Sequence, residues 1–240
     1  MSKKNKKDIV FKLILIVVFA IFVYYKEDIM KFLNIGYAEE EIISYNLDEI
    51  PPYSGSPYVV INNNEPDFDD NYKVPEYFEI YNSLDSLGRA RRAFASVAIE
   101  TMPVDKRESI GTVKPTGWHT IKYDSIEGKY LYNRCHLIGY QLTAENSNKK
   151  NLITCTRYMN TVGMLKFENM VAEYVRKTEN HVLYRVTPLY ENDNLLASGV
   201  QMEAYSIEDN GKGIKFNVFV YNVQDGIEID YKTGDSKLKK

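Results

Sequence analysis

Cysteine is nearly absent from this chain of 240 residues. The two present, Cys135 and Cys155, are too few for a disulfide-built scaffold and lack the paired spacing of a structural zinc site. They leave open one disulfide or two free thiols. An excess of positive charge is also missing: the net charge is -3, so a polyanionic partner would have to be met by a local patch, not a global field. Histidine occurs three times, as His119, His136 and His181, which confines imidazole chemistry to three places. No glycine-rich phosphate loop, internal repeat or low-complexity tract appears outside one acidic stretch, which sets aside P-loop nucleotide chemistry and solenoid architectures. The remaining composition is that of a globular protein with one sizeable core.

The first thirty residues break that ordinary pattern. A lysine-rich start (residues 1–8) is followed by an apolar run, residues 9–25, interrupted only by Lys12, which can snorkel toward the basic side. The run is about as long as the shortest spanning helices. It reads as a single-pass signal anchor, with the lysines kept in the cytoplasm and the rest of the chain outside. The alternative is a cleaved secretory signal, whose only small-x-small site, Gly36 to Ala38, lies well beyond the run. Either reading exports the remainder.

Residues 26–72 are acidic and rich in turn formers, as in PPYSGSPY and NNNEPDFDDNY, and are expected to be a spacer before a domain at 73–240. Within the spacer, the aromatic and β-branched Tyr58 to Ile61 could supply one edge strand. Residues 84–98, with apolar Leu84, Leu87, Phe94, Val97 and Ala98 and basic Arg89, Arg91 and Arg92, predict a helix ended by Met102-Pro103. The segments WHTIKYDS and KYLYN look extended, NLITCT reads as a short buried strand, and residues 159–177 predict a helix. Three further strands follow in HVLYRVTPLY, LASGVQMEAYSIED and GIKFNVFVYNVQ. The pattern is α+β, with a meander after the central helix.

The sharpest local signal is NRCHLIGYQL, from Asn133, followed by NKKNLITCTRYMN, ending at Asn160, and then by Glu168. These three pieces resemble the active site of the DNA/RNA non-specific endonucleases, the ββα-metal nucleases, and most closely the group that cuts DNA as it enters a cell. VDKRESIGTVKPTGWH and VLYRVTPLY are similar to that group as well, so the resemblance covers roughly residues 84–234. It implies a ββα-metal finger on a central antiparallel sheet with flanking helices, with His136 as general base, Asn160 as metal ligand and Glu168 behind the metal. Two letters depart from the family pattern: Asn133 stands where many members have Asp, and Cys135 where many have Gly. Asn133 can accept a hydrogen bond but carries no charge, and Cys135 requires a backbone that does not demand positive φ.

The same residues suit the reaction on physical grounds. Hydrolysing a phosphodiester at neutral pH needs a base for water, an electrophile for the phosphoryl oxygens and help for the leaving 3′ oxygen. His136, with an unperturbed pKa of about 6.5, fits the first task, provided that a backbone carbonyl on its other nitrogen fixes the tautomer. Mg2+ fits the other two, with Mn2+ as a replacement, because a single amide oxygen such as that of Asn160 can anchor an ion that keeps most of its waters. Eight residues separate Glu168 from Asn160, about two helical turns, which puts both on one face. Arg134 and Arg107 are expected to clamp phosphate bidentately, with Arg185 as a third substrate contact. Asn133 and Asn151 are expected to support the site from behind, Asn151 by bracing the His136 loop or by touching the metal shell. DNA, and RNA as a second substrate, would be held through phosphates, with no organic cofactor.

Each letter also has a bland reading. A lone histidine beside Leu137 and Ile138 is a packing residue, Asn160 a helix cap, Glu168 a solvated helix face and the Arg89 to Arg92 cluster a solvated surface. Order along the chain, more than any one residue, argues for a site. Two rivals remain: a cysteine hydrolase built on Cys135 and His181, and a catalytically silent nucleic-acid-binding ectodomain of the same shape.

Overall fold

Alternating apolar residues build the centre of the molecule, which in this computed structural model is described for residues 46–239. In chain order the strands are β1 (Tyr58–Val60), β2 (Phe78–Tyr81), β3 (Ala93–Val97), β4 (Tyr132–His136), β5 (Leu152–Thr156), β6 (Val182–Leu189), β7 (Gly199–Ser206), β8 (Lys215–Tyr221), β9 (Ile227–Ile229) and β10 (Ser236–Leu238). Six of them form an antiparallel sheet in the order β1-β8-β7-β6-β3-β2, with β6, β7 and β8 as the predicted meander. The strand period of two sorts side chains between its faces. Tyr184, Val186, Val200, Met202, Val218 and Val220 share one core with Leu142 of the short helix α1 (Tyr140–Thr143) and with the helix α2 (Leu165–Thr178), which contributes Phe167, Val171, Ala172 and Val175. Phe94 and Leu183 point the other way into a second core with Phe68, Tyr72 and Phe78, where the Phe94 ring lies 4.9–5.5 Å from three aromatic rings.

The helix expected over 84–98 does not form. Residues 84–92 make a turn in which Asp85 accepts hydrogen bonds from the backbone of Leu87 and Arg89, and the sequence AFASV that follows is β3. Its residues are apolar in succession because β3 lies inside the sheet and is buried on both faces, and such a run has no helical or strand period to read. The nearby arginines hold this turn together: Arg89 pairs with Asp85 at 2.6 Å and reaches the carbonyls of Asn192 and Asn194, and Arg91 donates to the Ser83 carbonyl. The extension expected in WHTIKYDS reduces to one bridge between Lys122 and Tyr130.

The spacer expectation also needs correction over its described part. Tyr58–Val60 is an edge strand, as read from the sequence, but the acidic residues after it are built into the domain as well: Phe68 and Tyr72 fill the second core. Their aromatic anchors outweigh the acidic letters around them. Among the described residues no helix is long and apolar enough to cross a membrane; the expected span at 9–25 lies outside them.

A separate two-stranded ribbon, β4 with β5, leads into a π-helical turn at Met159–Met164 and then into α2, giving the ββα order expected for the finger. Cys135 and Cys155 are joined in a disulfide across this ribbon, with Cα atoms 5.9 Å apart. Both are fully buried against the sheet.

Arg185, expected as a substrate contact, sits on β6 facing the second core. Its guanidinium donates to Glu203 at 2.7 and 3.0 Å and to the Asp67 carbonyl, and lies over the Phe68 ring. Breaking such a buried pair leaves an uncompensated charge, so Glu203→Ala is expected to lower stability by about 3–5 kcal/mol in denaturant unfolding. An effect within about 0.5 kcal/mol would mean that the pair is solvated instead.

Candidate active site

Period two also arranges the ribbon. Tyr132, Arg134 and His136 line a cavity of about 810 Å³, while Cys135 faces the core on the opposite side. His136 is the last residue of β4, paired with Leu152, and is 6% exposed. The chain beyond it is fixed by Asn151, which is fully buried: its side chain accepts from the Ile138 N–H at 2.9 Å and donates to the Ile138 carbonyl at 3.0 Å, while its own carbonyl accepts from Leu137. A carboxylate could accept but not donate there, so the amide is the side chain that satisfies both backbone groups. These bonds tie Asn151 to the chain just beyond His136.

His136 has both ring nitrogens engaged. Nε2 lies 2.6 Å from the Asn146 carbonyl, and a carbonyl can only accept, so Nε2 carries the proton. The neutral ring therefore presents the Nδ1 lone pair, and Arg107 donates to it at 3.2 Å. Burial, with the Arg107 cation acting in the same direction, pushes the imidazole down to about 4 against the pull of the Asn146 carbonyl. Near neutral pH His136 is an unprotonated base with a defined lone pair.

Asn160 and Glu168 reach the same cavity from the helix. Eight residues of regular α-helix would leave two side chains about 80° apart. The π-helical turn, in which the Leu165 N–H reaches back to the Asn160 carbonyl, takes in one extra residue; the spacing then acts like seven and closes to within about 20°. Glu168 is buried, and burial lifts its carboxyl to about 7 although the Gln141 amide and Arg107 hold it back. Gly139 makes the room: a Cβ there would lie 2.6 Å from a Glu168 carboxylate oxygen.

The remaining expectations divide. Arg107, Arg134 and Asn133 line the cavity; Arg185 does not. Arg134 is already committed, with Nε on the Val113 carbonyl, one Nη on that of Gly111 at 2.9 Å and its plane over Trp118 at 3.9 Å. It can still present its free N–H edge, but its first effect is to hold the 111–118 loop against β4. Sequence reading passed over Arg157, which follows β5 and lines the same cavity. A lone arginine at a strand end carries no motif; its place between the strand and the metal-finger helix was the available signal. The rival cysteine hydrolase loses its nucleophile, because Cys135 is buried and bonded to Cys155, and His181 pairs with Glu208 outside the cavity.

The side chains that could hold a cation are few. Among the described residues no group of three His, Cys, Asp or Glu is gathered as a protein cage. The Asn160 amide lines the cavity with no hydrogen bond to another of the described residues, and Glu168 lines the same cavity. That donor set suits a hard, largely hydrated divalent ion.

Comparison with known proteins gives the family and the fold. A family model described as DNA/RNA non-specific endonuclease matches residues 69–208, more than half of the chain. NucA from Streptococcus agalactiae, in a crystal structure with magnesium ion bound, is similar with a TM-score of 0.67 and 26% identity over 75% of this chain and 87% of that one. The same protein with no metal bound gives 0.69 and 26% over 80% and 92%. The Sda1 nuclease with bound zinc ion shares the fold, with a TM-score of 0.62 at 23% identity over 77% and 97%.

The depressed His136 pKa has a definite sign in stability. Above about 6.5 both folded and unfolded forms are neutral and its contribution is constant; as pH falls from there toward about 4, the unfolded chain takes up a proton that the folded one refuses, and stability is lost. In metal-free protein, wild type is expected to lose on the order of 3 kcal/mol more across that window than His136→Gln. Parallel stability curves for the two proteins would show that the imidazole is freely protonated in the fold.

Proposed function

The chain belongs to the DNA/RNA non-specific endonuclease family, and on that premise we propose that it hydrolyses phosphodiester bonds of DNA, and of RNA as a second substrate, with Mg2+, for which Mn2+ can substitute. The observation that carries the reading is the convergence of His136 and Asn160 on one cavity, with the proton of His136 held on the nitrogen turned away from it. His136 Nδ1 takes a proton from the water that attacks phosphorus, while the bond from phosphorus to the 3′ oxygen breaks. Burial of the ring keeps this base in its neutral form. When bound, the ion supplies Lewis-acid stabilisation to the phosphoryl and leaving oxygens, held by Asn160 with Glu168 orienting its waters. Arg107 has a double part. A phosphate oxygen is a stronger acceptor than an imidazole nitrogen, so an arriving phosphodiester draws the guanidinium off Nδ1 and in the same movement frees the base and clamps the substrate.

The domain is proposed to act outside the cell membrane, anchored by residues 9–25 or released if that segment is cleaved. The buried disulfide supports an oxidising compartment. Protease added to intact cells should digest the domain; protection until lysis would place it inside.

Plasmid degradation with Mg2+ tests the chemistry. His136→Ala is expected to lower turnover by about 10²–10⁴-fold, and Asn160→Ala to weaken metal use and lower turnover by a similar order. EDTA should abolish cleavage, whereas Cys135→Ala should retain substantial activity. Equal losses in all three variants would undo the role assignments, and tight binding without cutting would favour a silent ectodomain. Because the contacts are to phosphate, affinity should fall steeply with salt and cut sites should show little sequence preference.

A further inference from the structure

We infer that Arg157 grips a phosphodiester flanking the scissile one, which makes the cavity a site for at least two consecutive phosphates and Arg157 its length sensor. The inference rests on the nuclease reading above. The Arg157 N–H donates to the Leu131 carbonyl at 2.8 Å, which sets its backbone level with a residue five positions before His136 on the ribbon. At about 3.4 Å per strand residue the two are roughly 17 Å apart along the strand. An extended arginine side chain closes only part of that gap, so the guanidinium lies one or two nucleotide steps from the base and not on the phosphate that it attacks. Yet both residues line the same cavity, which is continuous between them along Tyr132 and Arg134.

Arg157 is also poorly satisfied within the chain. Its Nε is shielded from solvent and has no hydrogen-bond partner, and its ion pair is with Glu127, at 3.7 Å and 91% exposed, a geometry that water and salt weaken strongly. Gly128, at φ +72, runs beside the guanidinium, where a Cβ would come within 3.6 Å of its Cζ; the bare backbone lets the charge lie in the cavity wall. Tyr130, 46% exposed, lines the same cavity with the Lys122 ammonium over its ring at 4.6 Å, which puts a second cation near this end of the cavity. A planar cation held only by a long, exposed ion pair suits an incoming phosphate better than a structural role.

Two substrates separate the subsite from the reaction centre: a 20-nucleotide single-stranded DNA, and bis(p-nitrophenyl) phosphate, a diester with no flanking phosphate. For the oligonucleotide, Arg157→Ala is expected to raise KM about tenfold with kcat within about threefold, and Arg157→Lys to fall between it and wild type. The loss of kcat/KM on the small diester should be at least fivefold smaller. Glu127→Gln, which removes the ion pair and keeps the arginine, should match wild type on both. An unchanged oligonucleotide KM in both Arg157 variants, equal losses on the two substrates, or a Glu127→Gln variant that behaves as Arg157→Ala would each overturn the inference. Wild-type protein that cleaves neither substrate with Mg2+ would bring down the nuclease reading itself, a result distinct from any of these.

Discussion

One hydrogen bond, from His136 Nε2 to the Asn146 carbonyl, gives the ring its chemical direction. Without it the imidazole could carry its proton on either nitrogen, and in the proposed reaction the wrong tautomer would point a donor at the attacking water. The carbonyl settles the matter because it has no hydrogen to give. It is itself held from several sides: the Asn146 amide donates to the Glu108 carbonyl at 3.2 Å, and the Asn146 N–H donates to the Glu145 carboxylate at 3.1 Å. The loop that carries Asn146 is thereby tied to the segment that carries Arg107, so the two groups that meet His136, one on each nitrogen, are positioned together.

Burial then sets the electrostatics that this geometry exploits. The same desolvation that lowers the His136 pKa raises that of Glu168, and Arg107 lies close enough to act on both. Arg107 is exposed and acts on both groups from the mouth of the cavity, so a phosphate bound beside it would alter the electrostatics of all three at once. The sheet beneath makes the balance durable. α2 lays Phe167, Val171 and Val175 on Val218, Val220 and Tyr184, and the ribbon is pinned to the same surface through Cys135 and Cys155, so the cavity wall is an extension of the core.

The catalytic finger was legible in the sequence because it is local. His136, Asn151, Asn160 and Glu168 fall within one stretch of ribbon and helix, where strand pairing and helical spacing bring them near one another; the π-helical turn that closes the angle between Asn160 and Glu168 carries no such signal. The meander was legible for the same reason: its period-two alternation survives in each strand. What escaped notice depends on partners far away in the chain. β3 reads as a helix until its two covered faces are known, Arg185 reads as a phosphate contact until Glu203 is seen beside it, and the acidic segment around Phe68 and Tyr72 reads as a spacer until its aromatics are found against Phe94. Arg134 lies between these cases: its place on the cavity wall follows from strand parity, but its hold on the Gly111 and Val113 carbonyls does not.

Of the two departures from the family pattern, one follows from strand parity and the other from the end of the ribbon on which it lies. Cys135 replaces a residue that is commonly glycine, and the local backbone permits it: β4 is extended through this position and Cys135 is not among the residues with positive φ. Its side chain points into the core, and Cys155, two positions along the facing strand from its direct neighbour Ile153, points the same way. The cysteine is thus half of a cross-link on the side of the ribbon opposite the imidazole, and it stiffens the strand that ends in the base without entering the chemistry. Asn133 lines the cavity, where an aspartate would add a negative charge facing Arg107 and Arg134. With an uncharged amide in that place the positive charge of Arg107, Arg134 and Arg157 on the cavity wall is not offset there, which suits the proposed phosphate substrate although the chain as a whole is acidic.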